Sequence, residues 1–214
     1  SKGNVISPEE VSNKYGMDAA RLFLVGVATP DKDIDWSENG IEGSFRFVNK
    51  VMDYFDRVKI GKSDSKTDSK LNKTIKMVTN HIENFKYNLA TIEVRELFNS
   101  LPDITSKDVL EKSLKLLNPF CPHITEELYE KIGNKNFISI SEWPKYDENK
   151  IDENYEKQET LIEEVVNDIN NVKKFVDNAS KVFLYSIPNE IRTYVDNLSE
   201  IEKRTGLKVS VYAV

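Results

Sequence analysis

The sequence predicts a mainly α-helical protein, in which a helical bundle is followed by a long helix and a small β-α-β unit. Three observations lead to this fold class. Apolar residues recur every three or four positions through most of the chain, which is the period of an amphipathic helix. Capping residues, prolines and glycines divide these stretches into separate helices. Beyond about residue 180 the pattern changes to alternation, which is typical of strands.

Two short helices are predicted near the N-terminal end. Ser7, Pro8 and the glutamates that follow form a helix start, so a helix should cover residues 8–15 and stop at Gly16. Asp18 can cap a second helix, over residues 19–28. Pro30 lies beyond its end and prevents its continuation.

The next helix, from Ser37 to about Lys59, has the clearest pattern. Its core stripe consists of Ile41, Phe45, Val48, Met52 and Phe55. A second apolar strip beside it consists of Phe47, Val51, Tyr54 and Val58. A helix with two apolar strips packs on two sides, as helices of a bundle do.

Further apolar repeats predict the rest of the bundle. The polar segment Gly61–Ser69 is expected to be a mobile loop. Helical spacing then returns four times, over residues 71–85, 88–101, 109–117 and 124–132. Residues 137–144 are expected to be extended.

The C-terminal part combines a long acidic helix, over residues 152–178, with a β-α-β pattern. Its stripe is Leu161, Val165, Ile169, Val172 and Val176. Strands are predicted at 182–185 and 207–212, with a helix at 188–204 between them. Because a pair of strands with one helix is too small to be stable alone, either the strands lie on the bundle or the chain stops inside a domain. These patterns divide the chain into residues 1–35, 36–150, 151–179 and 180–214.

Composition excludes several classes of protein. The single cysteine, Cys121, excludes a disulfide framework and a cysteine-rich zinc site, and it fits a reducing compartment such as the cytoplasm. The two histidines, His81 and His123, are far apart in sequence, which disfavours a histidine metal site. No apolar run approaches the roughly 20 residues that span a bilayer, so we expect no membrane association. The net charge of −6 argues mildly against a nucleic-acid binder.

The sequence shows no pairing of a nucleophile with a base, so no catalytic residue is assigned. His123 is interpreted as a helix-entry or packing residue, and Cys121 as a buried small apolar residue. Glu126 and Glu127 are interpreted as solvated residues near a helix N-terminus. The acidic residues between positions 142 and 168 lack the spacing of a calcium loop, so no metal site is predicted.

Charge is distributed unevenly along the chain. Residues 43–76 contain nine basic residues and four aspartates, a local charge of +5, whereas residues 142–168 carry −7. Arg46, Lys50 and Arg57 lie about 140–180° around their helix from the core stripe, so together they form a basic ridge. Such a ridge can contact phosphates without reading bases, although a solvated helix back would show the same pattern.

Several segments resemble class I aminoacyl-tRNA synthetases, in the order in which those enzymes carry them. Ser1-Lys2-Gly3-Asn4 resembles the end of the KMSKS signature, and residues 16–21 (GMDAAR) the G-A-D-A-x-R segment that follows it. Residues 33–47 resemble the leucyl enzymes of bacterial type more than the isoleucyl or valyl enzymes. Residues 118–128 (NPFCPHITEEL) resemble the P-x-x-P-H-I-x-E-E-L/I segment of the anticodon-binding-type helical domain.

This resemblance implies a C-terminal fragment of a leucyl-tRNA synthetase, whose intact form uses ATP and Mg to attach leucine to tRNA(Leu). Residues 1–35 would be the tail of the KMSKS loop and the stem-contact helices, with Ser1, Lys2, Gly3 and Asn4 near the ATP. The catalytic and editing domains would precede the chain, which alone should not aminoacylate and should need no cofactor. Charge and helix geometry, not a family motif, nominate the residues that would contact tRNA: Arg46, Lys50, Arg57, Lys59 and Lys62. The ridge carries no obvious aromatic platform for stacking bases.

Asp18 and Arg21 match the segment after the KMSKS loop, and we expect them to serve packing between catalytic core and bundle. Two alternatives remain open at this point. The chain could be the same region of an isoleucyl or valyl enzyme, or a helical scaffold that binds a partner protein.

Overall fold

The computed structural model of the chain describes residues 6–33, 36–176 and 178–214. The chain divides into two compact units, the first ending at Ile151 and the second running from Asp152 to Val214. The helices of the first unit are α1 (Pro8–Tyr15), α2 (Met17–Val27), α3 (Glu38–Arg57), α4 (Ser65–Glu83), α5 (Tyr87–Ser100), α6 (Lys107–Leu117) and α7 (Pro122–Lys131). The helical bundle predicted from the apolar period is confirmed.

One apolar core joins the helices of the first unit. α4 packs against α5, α2 against α3 and α5, and α6 against α4, α5 and α7. Val11, Leu22 and Phe23 of the first two helices belong to the same core as the rest of the bundle. Its fully buried side chains include Ile41, Ile75, Leu97, Leu110, Leu114 and Leu117.

Side-chain caps explain where the bundle helices begin. The Ser37 hydroxyl accepts from the Gly40 amide at 3.2 Å and starts α3 as predicted. Asp64 accepts from the Thr67 amide at 2.7 Å, so α4 already begins at Ser65. The prediction of a mobile loop over Gly61–Ser69 is therefore wrong for its second half, because this cap satisfies an amide of the first helical turn.

Three other details of the helix predictions are wrong. Ser7 makes no side-chain cap bond, and its backbone carbonyl accepts from the Val11 amide instead. Asp18 does not cap α2, because α2 begins at Met17, one residue before Asp18, and the Asp18 side chain is buried. Phe45 lies at the edge of the core with 36% of its surface exposed, whereas Ser44 beside it is buried. α3 is therefore rotated slightly from the predicted stripe.

Two very short strands tie the end of α3 to the segment after α5. β1 (Lys59–Ile60) and β2 (Ile104–Thr105) pair in parallel, with Lys59 opposite Ile104. Residues 137–144, predicted to be extended, contain a turn of 3₁₀ helix at Ile138–Ile140, and a second such turn lies at Glu148–Lys150.

The second unit consists of α8 (Glu153–Lys173), β3 (Lys181–Ser186), α9 (Pro188–Asp196), α10 (Leu198–Thr205) and β4 (Lys208–Ala213). β3 and β4 pair in parallel along their whole length. The stripe of α8 is shorter than predicted, since Val172 and Val176 are exposed. The single helix predicted at 188–204 breaks at Asn197, whose side-chain amide donates to the Thr193 carbonyl at 2.8 Å.

One side of the two-stranded sheet is covered by α9 and α10, which contact β4, and α8 packs against these two helices. Ile162, Val165 and Ile169 of α8 share a core with Ile201 and Val209. This arrangement supplies the apolar cover that a β-α-β unit lacks alone. Among the residues that the structure describes, no helix combines the length and apolarity that crossing a membrane requires.

Candidate nucleic-acid interface

The basic ridge occupies the solvent side of α3. Arg46, Lys50 and Arg57 are all exposed, and the first and the last are eleven positions apart, about 16 Å along the helix axis. Lys50 is held in place because its ammonium donates to the side-chain oxygen of Asn99 on α5 at 2.6 Å. The structure therefore brings these three predicted residues onto one surface.

Lys59 and Lys62 follow α3 in the chain, just beyond its C-terminal end. Both are exposed. The backbone around Lys59 is fixed on each side, since its amide donates to the Asp103 carbonyl at 3.0 Å and the Gly61 amide donates to the Thr105 carbonyl at 2.8 Å. Lys59 therefore lies on a strand whose backbone is hydrogen-bonded to residues 103–105, and not on a mobile loop.

The cations of the ridge are mostly not neutralised by neighbouring acids. Within the described residues, Arg46, Arg57, Lys59 and Lys62 make no side-chain hydrogen bond or ion pair. Asp56, on the same helix, is instead paired with Lys131 of α7. Asp53 lies one turn from Lys50 and Arg57 and lowers the local positive charge. The ridge nevertheless presents cations whose donors remain free to bind phosphate.

Arg95 of α5, unlike the arginines of the ridge, uses its side chain in contacts within the fold. Its guanidinium donates to the Ser44 hydroxyl at 2.9 Å and lies 4.8 Å from the centre of the Phe47 ring. Burial lowers the pKa of this arginine. Arg95 therefore joins α5 to α3 beneath the ridge and does not extend the basic surface.

The two most recognisable sequence segments meet at a buried carboxylate. Asp18 is 4% exposed, and its oxygens accept from the backbone amides of His123 at 3.3 Å and Ile124 at 2.7 Å. The His123 ring Nδ1 lies 2.7 Å from the same carboxylate. These amides belong to the first turn of α7, so Asp18 caps that helix from a distance of about a hundred residues in the sequence.

Neighbouring contacts strengthen the same junction. Arg21 donates to the Pro119 carbonyl at 3.1 Å, and the Cys121 thiol lies 3.8 Å from the Asp18 carbonyl oxygen. Asp18 and Arg21 were expected to serve packing between catalytic core and bundle, which stays a prediction; in the structure they join α2 to α7 and the segment just before it, within the bundle. Sequence reasoning missed this pairing, although an aspartate within an apolar helix was a signal that a partner was needed.

Glu126 was interpreted as a solvated residue, and this interpretation is wrong. Its carboxylate accepts from the amides of Ile138 at 2.8 Å and Ser139 at 3.1 Å. Burial alone would raise the pKa of Glu126, but these bonds and the Ser139 hydroxyl outweigh it and lower the pKa. Glu126 thereby holds the 3₁₀ turn against α7.

Cys121, the single cysteine of the chain, is not placed to act as a nucleophile. Cys121 is fully buried, and burial raises the pKa of its thiol well above the usual range, so the thiol stays protonated. The residues that the structure describes hold no group of three or more side chains arranged to bind a metal ion. Ser1, Lys2, Gly3 and Asn4, assigned to the ATP-proximal loop, lie outside the described residues.

Comparison with known proteins decides the family. The profile of the family described as "Anticodon-binding domain of tRNA ligase" matches residues 64–182, more than half of the chain. The chain belongs to this family of anticodon-binding domains. The matched range covers α4 to α8 and begins just after the ridge, so the match itself does not include Arg46 to Lys62.

Curated relatives agree with the resemblance to leucyl enzymes. Proteins named leucine-tRNA ligase match with 31% identity in Fusobacterium nucleatum, over 89% of this chain, with 39% in Rickettsia massiliae, over 71%, and with 36% in Petrotoga mobilis, over 70%. The matches cover 28%, 20% and 21% of those relatives, so the chain spans about a quarter of their length. The expected kinship with leucyl enzymes is confirmed.

A solved structure shows the same fold at low identity. The LeuRS of Agrobacterium radiobacter, in a ternary complex with tRNA and LeuAMS, aligns with all of this chain over 30% of its own, with a TM-score of 0.60 and 19% identity. The predicted mainly helical architecture is confirmed by this likeness.

Proposed function

We propose that this chain is the tRNA-binding portion of a leucine-tRNA ligase and that the basic ridge holds the phosphate backbone of tRNA(Leu). One observation carries the proposal: Arg46, Lys50 and Arg57 share one exposed side of α3, and two further exposed lysines, Lys59 and Lys62, follow the end of that helix. Membership of the anticodon-binding family and relatives named leucine-tRNA ligase support it.

The chemistry of the ridge suits phosphate rather than base recognition. Guanidinium groups form paired hydrogen bonds with phosphate oxygens, and ammonium groups add point charges. Contacts of this kind fix the position of an RNA without reading its sequence. The Lys50–Asn99 bond orders one of these cations before RNA arrives, which reduces the entropy lost on binding.

The proposed role assigns the remaining steps of the reaction to other parts of the ligase. The intact enzyme would activate leucine with ATP and Mg in a catalytic domain and proofread in an editing domain, both partners of this chain. We assign the contacts with ATP and Mg to that catalytic domain. We expect the chain alone to bind tRNA, to be inactive in aminoacylation, and to work in the cytoplasm.

A filter-binding titration of the chain against tRNA(Leu) at several salt concentrations tests the ridge. The variant Arg46→Glu with Lys50→Glu should bind more weakly, and the slope of log K against log salt should fall by about two, one for each phosphate that the variant no longer neutralises. Circular dichroism of the variant should match the parent chain, because both side chains are exposed.

The matched control is Lys135→Glu with Lys145→Glu, which makes the same change in net charge at two exposed lysines outside the ridge. This control should keep the salt slope of the parent chain. If both double variants lose the same affinity and slope, only overall charge matters and the ridge does not bind the RNA. Retention of a protein partner from cell extract with no RNA would favour the scaffold alternative.

A further inference from the structure

The sheet of the second unit has an uncovered face that carries three aromatic rings. Successive side chains of a strand point to opposite faces, so every second residue of each strand shares one face. Strand register then places the following residues together: Lys181, Phe183 and Tyr185 of β3, and Lys208, Ser210 and Tyr212 of β4. We call these six residues the aromatic face.

The rings of the aromatic face are in contact with one another and open to solvent. The Tyr185 and Tyr212 rings are stacked, with centroids 5.6 Å apart and planes inclined by 28°, and the Phe183 centroid lies 6.1 Å from that of Tyr212. Their exposed fractions are 58% for Phe183, 66% for Tyr185 and 46% for Tyr212. Adjacent exposed aromatic side chains are unusual on a surface that has no binding role.

The opposite face of the sheet is packed against the core of the second unit. Val209 lies in the core of the second unit, and Val182, Leu184 and Val211 pack against that core. The aromatic face is therefore not needed to hold the sheet onto its helices. Its three rings are available for a ligand.

The charges beside the rings indicate an anionic ligand. Lys181 and Lys208 stand opposite each other at the start of the strands, and none of the six positions of the aromatic face is acidic. Lys181 makes no side-chain hydrogen bond or ion pair within the described residues. Lys208 is held 2.9 Å from Glu202. Two cations at one end of a row of rings suit a polymer that alternates anionic and planar groups.

We infer that the aromatic face stacks unpaired nucleobases of an RNA, while Lys181 and Lys208 contact the adjoining phosphates. This inference rests on the proposed function in so far as the RNA is a tRNA. Every base has a π-face, so stacking of this kind tolerates different sequences, and RNA-binding sheets with exposed aromatic residues work in the same way. The second unit would thus stack on bases, whereas the ridge on α3 would contact phosphates.

Fluorescence anisotropy of the full chain with a labelled 12-nucleotide oligouridylate tests the aromatic face without a folded tRNA. Tyr212→Leu keeps an apolar side chain but removes the central ring, and it should weaken binding about tenfold. Tyr212→Trp, which keeps a stacking surface, should bind at least as well as the parent chain. The matched control is Tyr146→Leu, an equally exposed tyrosine of the first unit, which should change nothing.

Salt dependence separates the two kinds of contact. Lys181→Ala should reduce the slope of log K against log salt by about 0.7, the value for one contact with a single strand, whereas Tyr212→Leu should leave the slope unchanged. A crosslink from oligouridylate containing 4-thiouridine should map to a peptide of β3 or β4. Crosslinks confined to α3 and α4 would overturn the inference.

The outcomes also distinguish the aromatic face from the ridge. Unchanged oligouridylate binding by Tyr212→Leu, together with loss of tRNA binding by the ridge variant, would refute the aromatic face and leave the proposed function standing. The reverse result would refute the ridge alone, and failure of the parent chain to bind either RNA would refute both. If sedimentation shows that Tyr212→Leu alters only self-association, the face joins two copies of the chain and the inference is wrong.

Discussion

Replacing Asp18 with alanine should destabilise the first unit by about 3 kcal/mol. The carboxylate of Asp18 is almost fully buried and accepts from two amides of the first turn of α7, those of His123 and Ile124. Alanine offers no acceptor at that place. The variant therefore leaves the start of α7 without its cap while the surrounding core keeps water away.

The magnitude follows from the hydrogen bonds that the variant cannot make. The carboxylate is the acceptor for two amides of the helix start, and both lose it in the variant. Each amide left unsatisfied in a partly buried position costs about 1.5 kcal/mol, which gives about 3 kcal/mol for the two. The contact with the His123 ring adds little, because the side chain of His123 is 70% exposed and water can replace its partner. Asp18→Asn keeps one acceptor oxygen and should lose about half as much.

Urea unfolding followed by tryptophan fluorescence measures this change selectively. Trp36 and Trp143 are the two tryptophans of the chain, and both belong to the first unit, so their signal does not report on the second unit. For a unit of this size, a loss of 3 kcal/mol should also lower Tm by about 6–12 °C.

The control is Asp108→Ala, which removes an exposed first-turn carboxylate paired with Lys112 at 2.7 Å on α6. Exposed pairs of this kind contribute less than about 0.5 kcal/mol. If Asp18→Ala is no more destabilising than this control, the carboxylate is not a structural cap and the account of the junction is refuted.

Two further predictions concern a glycine pair and an acidic residue. Gly40→Ala would place a Cβ 2.6 Å from the buried Phe23 ring and should destabilise the first unit by about 1–3 kcal/mol. Gly43→Ala lies in open space on the same helix and should stabilise the unit by about 0.5–1 kcal/mol in the same urea assay. Equal effects of the two variants would contradict the packing of Gly40 against Phe23. The backbone amide of Val209 and an ammonium partner lower the pKa of Glu202. The resulting stability is present above the usual glutamate pKa and is lost as pH falls through the lowered value. The protection factor of the Val209 amide, which corrects its exchange rate for the rate of an unprotected amide at the same pH, should therefore fall with acid more in the parent chain than in Glu202→Gln. Equal acid sensitivity in the two proteins would contradict this role.

Local signals in the sequence were enough to predict the helices but not their exact rotation. Ser37 and the period of apolar residues predicted α3 correctly, because a cap and an amphipathic stripe are encoded within a few residues. Phe45 was assigned to the core from the same period, yet Ser44 is buried in its place. Arg95 donates to the Ser44 hydroxyl, and no spacing within α3 could reveal that partner on another helix.

The junction at Asp18 shows the same limit for the candidate site. The sequence showed that Asp18 and His123 lie in recognisable segments, but it gave each a separate local role, as a helix cap and a helix-entry residue. Their contact joins positions about a hundred residues apart. Only the fold, which brings the start of α7 onto α2, explains why one carboxylate serves both segments.

Net charge is a poor guide to the proposed RNA contacts, because the positive and negative charges of this chain lie in different segments. The chain carries −6 overall, but three exposed cations lie on one side of α3 and two lysines belong to the aromatic face. A polyanion responds to the local field at its contact surface, not to the sum over the molecule. The acidic surplus outside these two surfaces would repel RNA elsewhere, so it would restrict where an RNA can settle. An acidic protein with two such surfaces can thus be more selective in its docking than a uniformly basic one.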